Sequence, residues 1–306
     1  MKFRLQRAEL FKPKSKSAPV LSVAITPDGN FAFSSGLDFV LREWDLRSRE
    51  CTRSWEAGGP LNAIMVTPCG KWILASTVMG VLQWDLQRWY FVRAFIANEG
   101  GTEDIAYSKK LGMLVGAGED SLIYRWDLES GEKYPTLGEH QYPVSALSLG
   151  EHGELLFSGD SGGEIRVWDL ASGKCMNVWQ GHRGKITNLA FLPRTQRVVS
   201  SSWETGIKIW DLNSGTLLFE LTDHTVCMET PAVSGMENWL ITGGENGIYI
   251  WDLEKQKNIY HNPSANISCL ALRHDHQHII SGSRDGSLST WMFQPLEEDA
   301  ESEQQS

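Results

Sequence analysis

The chain has 306 residues, 41% hydrophobic and 22% charged, enough apolar material for a large core and too little charge for wholesale disorder. Its net charge of −10 argues against a nucleic-acid partner, because such binding rests on lysine and arginine neutralising phosphate. Five cysteines (Cys51, Cys69, Cys175, Cys227 and Cys269) without a Cys-x-x-Cys pair fit a reducing compartment, and the lack of a signal-peptide core or a long apolar run leads to the expectation of a cytoplasmic protein with no membrane span.

The first predicted element is a strand-like run, Phe3 to Leu10, inside a basic stretch of residues 1–16. From residue 20 the chain becomes periodic. Trp-Asp-Leu recurs at Trp44, Trp84, Trp126, Trp168, Trp210 and Trp251, and a seventh tryptophan, Trp291, is followed by Met292-Phe293. The intervals are 40, 42, 42, 42, 41 and 40 residues, a period that signals a stacked repeat.

Each repeat has one internal plan. An apolar first segment such as Val20/Val23/Ile25 or Val144/Leu147/Leu149 is followed by a turn such as Pro27-Asp28-Gly29. A small-residue segment follows, as in Leu156-Phe157-Ser158-Gly159. A tight turn leads to the tryptophan segment, for example Ile165-Arg166-Val167-Trp168, and Ser-Gly at 130–131, 172–173 and 214–215 marks the next hairpin. A fourth segment runs outward, as in Cys175-Met176-Asn177-Val178-Trp179. Short β-rich runs separated by Gly, Ser, Asn and Asp predict four-stranded antiparallel sheets.

These repeats resemble the WD40 family over essentially residues 3–293. The resemblance implies an all-β, seven-bladed propeller of four-stranded antiparallel blades about a central channel. The seventh repeat ends after its third strand, so the segment 3–10 is expected to supply the missing outer strand and close the ring. The propeller is expected to span residues 1–293, with an acidic, disordered tail at 294–306.

Many members of the family stiffen a blade with a buried network of His, Ser or Thr, Asp and the repeat Trp. Here the His position holds His140, His182 and His224, and the Asp position holds Asp38, Asp120 and Asp285. Blade two has neither, with Met79 near the Asp position, while Glu204 and Asn246 stand in for Asp in blades five and six. The expectation is that no blade carries the complete set. The run Ser158-Gly159-Asp160-Ser161-Gly162 reads as a strand end and turn.

No nucleophile, phosphate-binding or zinc motif occurs. The only concentrated metal-type ligands are His274, His276 and His278, a weak candidate against a solvated turn, because zinc draws ligands from separated segments. No catalytic residue and no cofactor is expected. The predicted function is a non-catalytic scaffold or adaptor that holds a protein or peptide, as a monomer or as a subunit of a larger complex. The alternatives are an enzyme or a small-ligand or metal binder using the central channel, or a sensor acting with a separate effector chain.

In the family, the narrow face of the ring commonly holds partners, on two sets of loops. The loops between second strand and Trp strand offer Leu37, Glu119, Trp203 and Arg284. The loops ahead of the first strand offer Asn62, Glu103, Tyr142, Lys185 and Glu229. Trp203 is the sharpest candidate, because Trp, Tyr and Arg dominate interface hot spots. A surface combining Trp203, Tyr142, Lys185 and Arg284 is the expected form.

Overall fold

The computed structural model of the chain describes residues 2–11, 18–98, 100–138, 140–203, 206–222, 230–233, 239–263, 266–273 and 278–296. They form seven four-stranded antiparallel sheets. Blade one is Val20–Ile25, Phe31–Gly36, Val40–Asp45 and Glu50–Glu56, paired in chain order. Blade four repeats the plan with Val144–Leu149, Leu155–Asp160, Glu164–Asp169 and Lys174–Gln180. The first strand of every blade touches the first strands of both neighbours, and the last such contact joins blade seven to blade one. The seven sheets therefore form a closed ring.

Blade seven departs from chain order. Its strands Ile267–Leu272, His278–Ser283 and Leu288–Leu296 are joined at the outer edge by Lys2–Phe11, antiparallel, with Phe3 opposite Pro295 and Leu10 opposite Ser289. The segment expected to close the ring does so. The third strand continues to Leu296, past Phe293, and residues 297–306 lie outside the described residues.

Among the described residues the core consists of seven clusters, each shared by two neighbouring blades. Every repeat tryptophan packs in the junction with the blade before it. Trp44 meets Cys269 and Ile280 of blade seven, and Trp168 meets Val115 and Ala117 of blade three. All seven are buried. A sheet that cannot cover its own face is covered by its neighbour, which is why the repeat is stable only as a ring.

The Asp of each Trp-Asp-Leu has a separate task. Its carboxylate accepts backbone N–H groups of the following hairpin turn. Asp45 Oδ1 takes those of Arg47 and Ser48, both at 2.8 Å, and Asp169 Oδ1 takes that of Ser172 at 2.7 Å. These bonds favour the anion and hold both carboxyls below their ordinary range. At the opposite turn of blade four, Gly163 has a φ of 88°. A Cβ there would lie 2.1 Å from the His182 carbonyl oxygen, so only glycine admits the chain entering blade five.

The blade networks differ from expectation in one important place. Blade four is complete. His140 Nε2 lies 2.7 Å from Ser158 Oγ, and His140 Nδ1 lies 3.0 Å from Asp160 Oδ2. Trp168 Nε1 donates to Ser158 Oγ at 2.8 Å. Asp160 Oδ1 also accepts the backbone N–H groups of Gly162 and Glu164, each at 2.9 Å. Asp160 stands two residues nearer the chain start than Asp38, Asp120 and Asp285 do relative to their tryptophans, and its carboxylate still reaches the histidine.

The Trp-to-hydroxyl bond recurs as Trp44 to Ser34, Trp210 to Ser200, Trp251 to Thr242 and Trp291 to Ser281. His182 joins Ser200 at 2.7 Å in blade five. His224 and Glu204 lie outside the described residues. Blade two has Leu74 in place of the hydroxyl residue, and the buried Trp84 Nε1 has no partner.

Blade three, with Gly116 in the hydroxyl place, uses a tyrosine, and blade six adds one to its Trp251–Thr242 bond. Tyr124 stacks on Trp126 and donates its hydroxyl to Asp120 at 2.5 Å. Burial and that carboxylate push the phenol up to about 12. Tyr249 stacks on Trp251 in the same relation and bonds to Asn246, so Asn246 does fill the Asp position of blade six.

Candidate functional site: the channel mouth and narrow face

The first strands enclose a channel of about 530 Å³ lined by Ser22, Asn62, Glu103, Asp104, Glu119 and Lys185 among others. Lys185 immediately precedes the inner strand of blade five, Ile186–Leu192, and Glu103 lies in that of blade three. Lys185 Nζ reaches Glu103 Oε2 at 2.5 Å across the mouth. The same ammonium lies 5.5 Å from the centre of the Trp203 ring. The Trp203 backbone N–H donates to the Lys185 carbonyl at 3.2 Å, which ties the two loops together.

Trp203 is 59% exposed, while the repeat tryptophans are all buried. Glu119 faces the same mouth, and its carboxyl is raised by burial and by the nearby Glu103 charge. Asn62 donates to the Thr102 carbonyl at 3.3 Å, bracing blade two against blade three.

The other predicted residues lie apart. Tyr142 is 55% exposed and lies over Gly162 of its own blade. Arg284 pairs with Glu245 of blade six at 3.2 Å, and Leu37 is exposed on blade one. Glu229 lies outside the described residues. Of the expected surface of Trp203, Tyr142, Lys185 and Arg284, only Trp203 and Lys185 are in contact; Glu103, a separate candidate on the same face, joins them through Lys185.

Sequence reasoning missed Asp104 and the exposed pair Val78 and Met79. Asp104 accepts the Ile105 N–H and, from blade four, the Leu147 N–H, each at 2.8 Å, and burial raises its carboxyl to about 6. Its place beside Glu103, where other inner strands carry Ala63 or Asn188, was the available signal. Val78 and Met79 form the tight turn of blade two, the counterpart of the Trp203 turn.

Among the described residues, one group has metal-ligand proximity: His140, Asp160 and Glu164. Both His140 ring nitrogens are engaged within the blade, so this is the structural network already described. His274 and His276 lie outside the described residues, and His278 opens the second strand of blade seven. No helix among the described residues is long and apolar enough to cross a membrane.

Residues 63–257 match the family described as nucleolar protein 10-like, N-terminal domain, and residues 9–45 and 254–291 match the WD domain, G-beta repeat. The chain belongs to this family of WD-repeat propellers. The small ribosomal subunit protein RACK1 of Brassica napus is 38% identical over 68 residues, 22% of this chain and 21% of that protein. The RACK1 of Medicago sativa is 26% identical over 151 residues, 49% of this chain and 39% of that protein. The periodic tryptophan protein 2 homolog of Caenorhabditis elegans is 27% identical over 154 residues, 49% of this chain and 17% of that protein. The WD-repeat chain thus matches well under half the length of each of these relatives.

Proposed function

We propose that this WD-repeat propeller is a non-catalytic scaffold or adaptor that holds a protein or peptide on its narrow face at the channel mouth. The exposure of Trp203 carries the reading. An indole left 59% open to water, beside the mouth of a channel, suits an anchor for a partner. The relatives support it: RACK1 is named as a protein of the small ribosomal subunit, that is, of a multi-component assembly. Cys51, Cys69, Cys175 and Cys269 stand outside any disulfide, which supports a reducing, cytoplasmic setting.

The test is affinity purification followed by mass spectrometry, comparing wild type with a Trp203→Ala/Arg284→Ala double variant whose circular dichroism melt matches wild type. The expected outcome is loss of specific partners from the variant. Equal recovery would count against this face.

A further inference from the structure

Among the described residues, the outer strand of every blade has a neighbour on one side only. Its far side carries main-chain donors and acceptors without a strand to meet them, and charge or proline commonly guards such an edge. Most edges of this ring are guarded. Lys2–Phe11 and Glu50–Glu56 are rich in charge, and Lys133–Leu137 contains Pro135. Lys174, Glu220 and Lys257 put one charge on each of three more.

The outer strand of blade two, Tyr90–Ile96, is the exception. Six of its seven residues are Tyr, Phe, Val, Ala, Phe and Ile. Its one charge, Arg93, is engaged elsewhere: the guanidinium lies against Gly131 and near Asp127, in the hairpin of blade three. Tyr90, Phe91 and Ile96 stay exposed.

The shape of the edge is a second observation. Ala94 packs on the core shared with blade one, and Phe91 meets Trp84 of that core edge-on, with ring centres 6.1 Å apart. Ile96 lies two residues beyond Ala94 and so faces the same way. The small Ala94 side chain is thus flanked along the strand by two large exposed ones, which leaves a notch for an apolar side chain.

The size of the edge says what fits it. A strand of this length runs about 23 Å, and side chains on its two faces span about 10 Å, so the edge offers roughly 230 Å². A stable pair of folded proteins needs roughly 800 Å² on each side. The edge therefore suits a single extended segment better than a second copy of the ring.

We propose that the outer edge of blade two is a binding site separate from the channel mouth, where an extended apolar segment of a partner protein adds as a fifth strand. Main-chain hydrogen bonds hold the segment, and the notch at Ala94 selects a branched or aromatic apolar residue beside it. A proline whose nitrogen faces the edge removes a donor and is rejected.

The experiment is selection of a random displayed peptide library on the immobilised full chain, in parallel on wild type and Ile96→Lys. Peptides that distinguish the two are then measured against Phe91→Lys and, as a control on the edge of blade four, Met176→Lys. All three positions are exposed, and thermal melting checks each variant. The selected peptides are expected to alternate apolar residues. They should weaken at least about tenfold on Ile96→Lys and Phe91→Lys, and less than about twofold on Met176→Lys. A scan of single N-methyl groups along the best peptide reads wild type alone. It should destroy binding at every second residue only, since alternate N–H groups of an added strand face the edge.

No peptide that distinguishes wild type from Ile96→Lys, or an N-methyl scan without the two-residue alternation, overturns the proposal. A wild-type dimer that Ile96→Lys makes monomeric in light scattering overturns it in favour of a second copy. Peptides that depend on Trp203 bear on the narrow-face reading alone, so the two readings fail separately.

Discussion

Asp160 shows that reach, more than register, decides whether a buried network forms. Its carboxylate meets His140 on one oxygen and two backbone amides on the other, from a position two residues away from that of its counterparts. Position-by-position reading puts Gly162 in the Asp place and so misses the bond; a strand-end carboxylate with the same reach is invisible to spacing alone. His182 carries the second lesson at this scale. Burial and the nearby Lys208 charge lower its imidazole from the ordinary value of 6.5 to about 4. Below pH 4 the folded and unfolded chains are both protonated there. Between 4 and 6.5 only the unfolded chain takes the proton, so stability falls as pH drops through that window, by up to about 3 kcal/mol. Urea unfolding of wild type and His182→Gln at several pH values between 7 and 4 should show a shallower decline in the variant. Parallel curves would show that His182 does not titrate as described.

A blade is stiffened by whichever polar route its sequence permits. Blade four has the full His-Ser-Asp-Trp set, blades three and six have a stacked tyrosine, and blade two leaves Trp84 Nε1 unpaired. Ser158→Ala in blade four would orphan His140 Nε2 and Trp168 Nε1 together. Each buried polar group left without a partner costs about 1–3 kcal/mol, so the melting temperature should drop by several degrees. An unchanged melt would mean the network contributes nothing to this blade. The blades themselves were legible in the sequence, because period, turn residues and strand composition agree at every repeat. The tyrosine route was less so, since Tyr124 and Tyr249 look like ordinary strand residues until their stacking is seen. The candidate site was legible loop by loop. Its assembly was not: Lys185 and Glu103 are 82 residues apart, and only ring closure brings them to one mouth.

The ring as a whole has no single centre of stability. Its apolar burial is divided among seven junctions, and each junction needs both of its blades. Removing the closing strand should therefore weaken more than blade seven. Deletion of residues 2–11 exposes the ladder edge of Leu288–Leu296, the strand that carries Trp291 into the junction with blade six. The expected result is a markedly lower melting temperature with earlier loss of all β-sheet signal, followed by circular dichroism. A truncated chain that melts like the full one would contradict closure by this strand.

The pairing of Lys2–Phe11 with Leu288–Leu296 also sets a timetable for biosynthesis. The outer strand leaves the ribosome before its partner, which emerges almost three hundred residues later. At ordinary translation rates of about 5–20 residues per second the wait is about 15–60 s. For that interval the early strand has no native neighbour and offers an open row of amides and carbonyls to any passing chain. Its own composition guards against this, since Lys2, Arg4 and Arg7 place positive charge along the waiting edge, a common protection against unwanted pairing. Until that pairing is made, blade seven lacks its outer strand and the ring stands open.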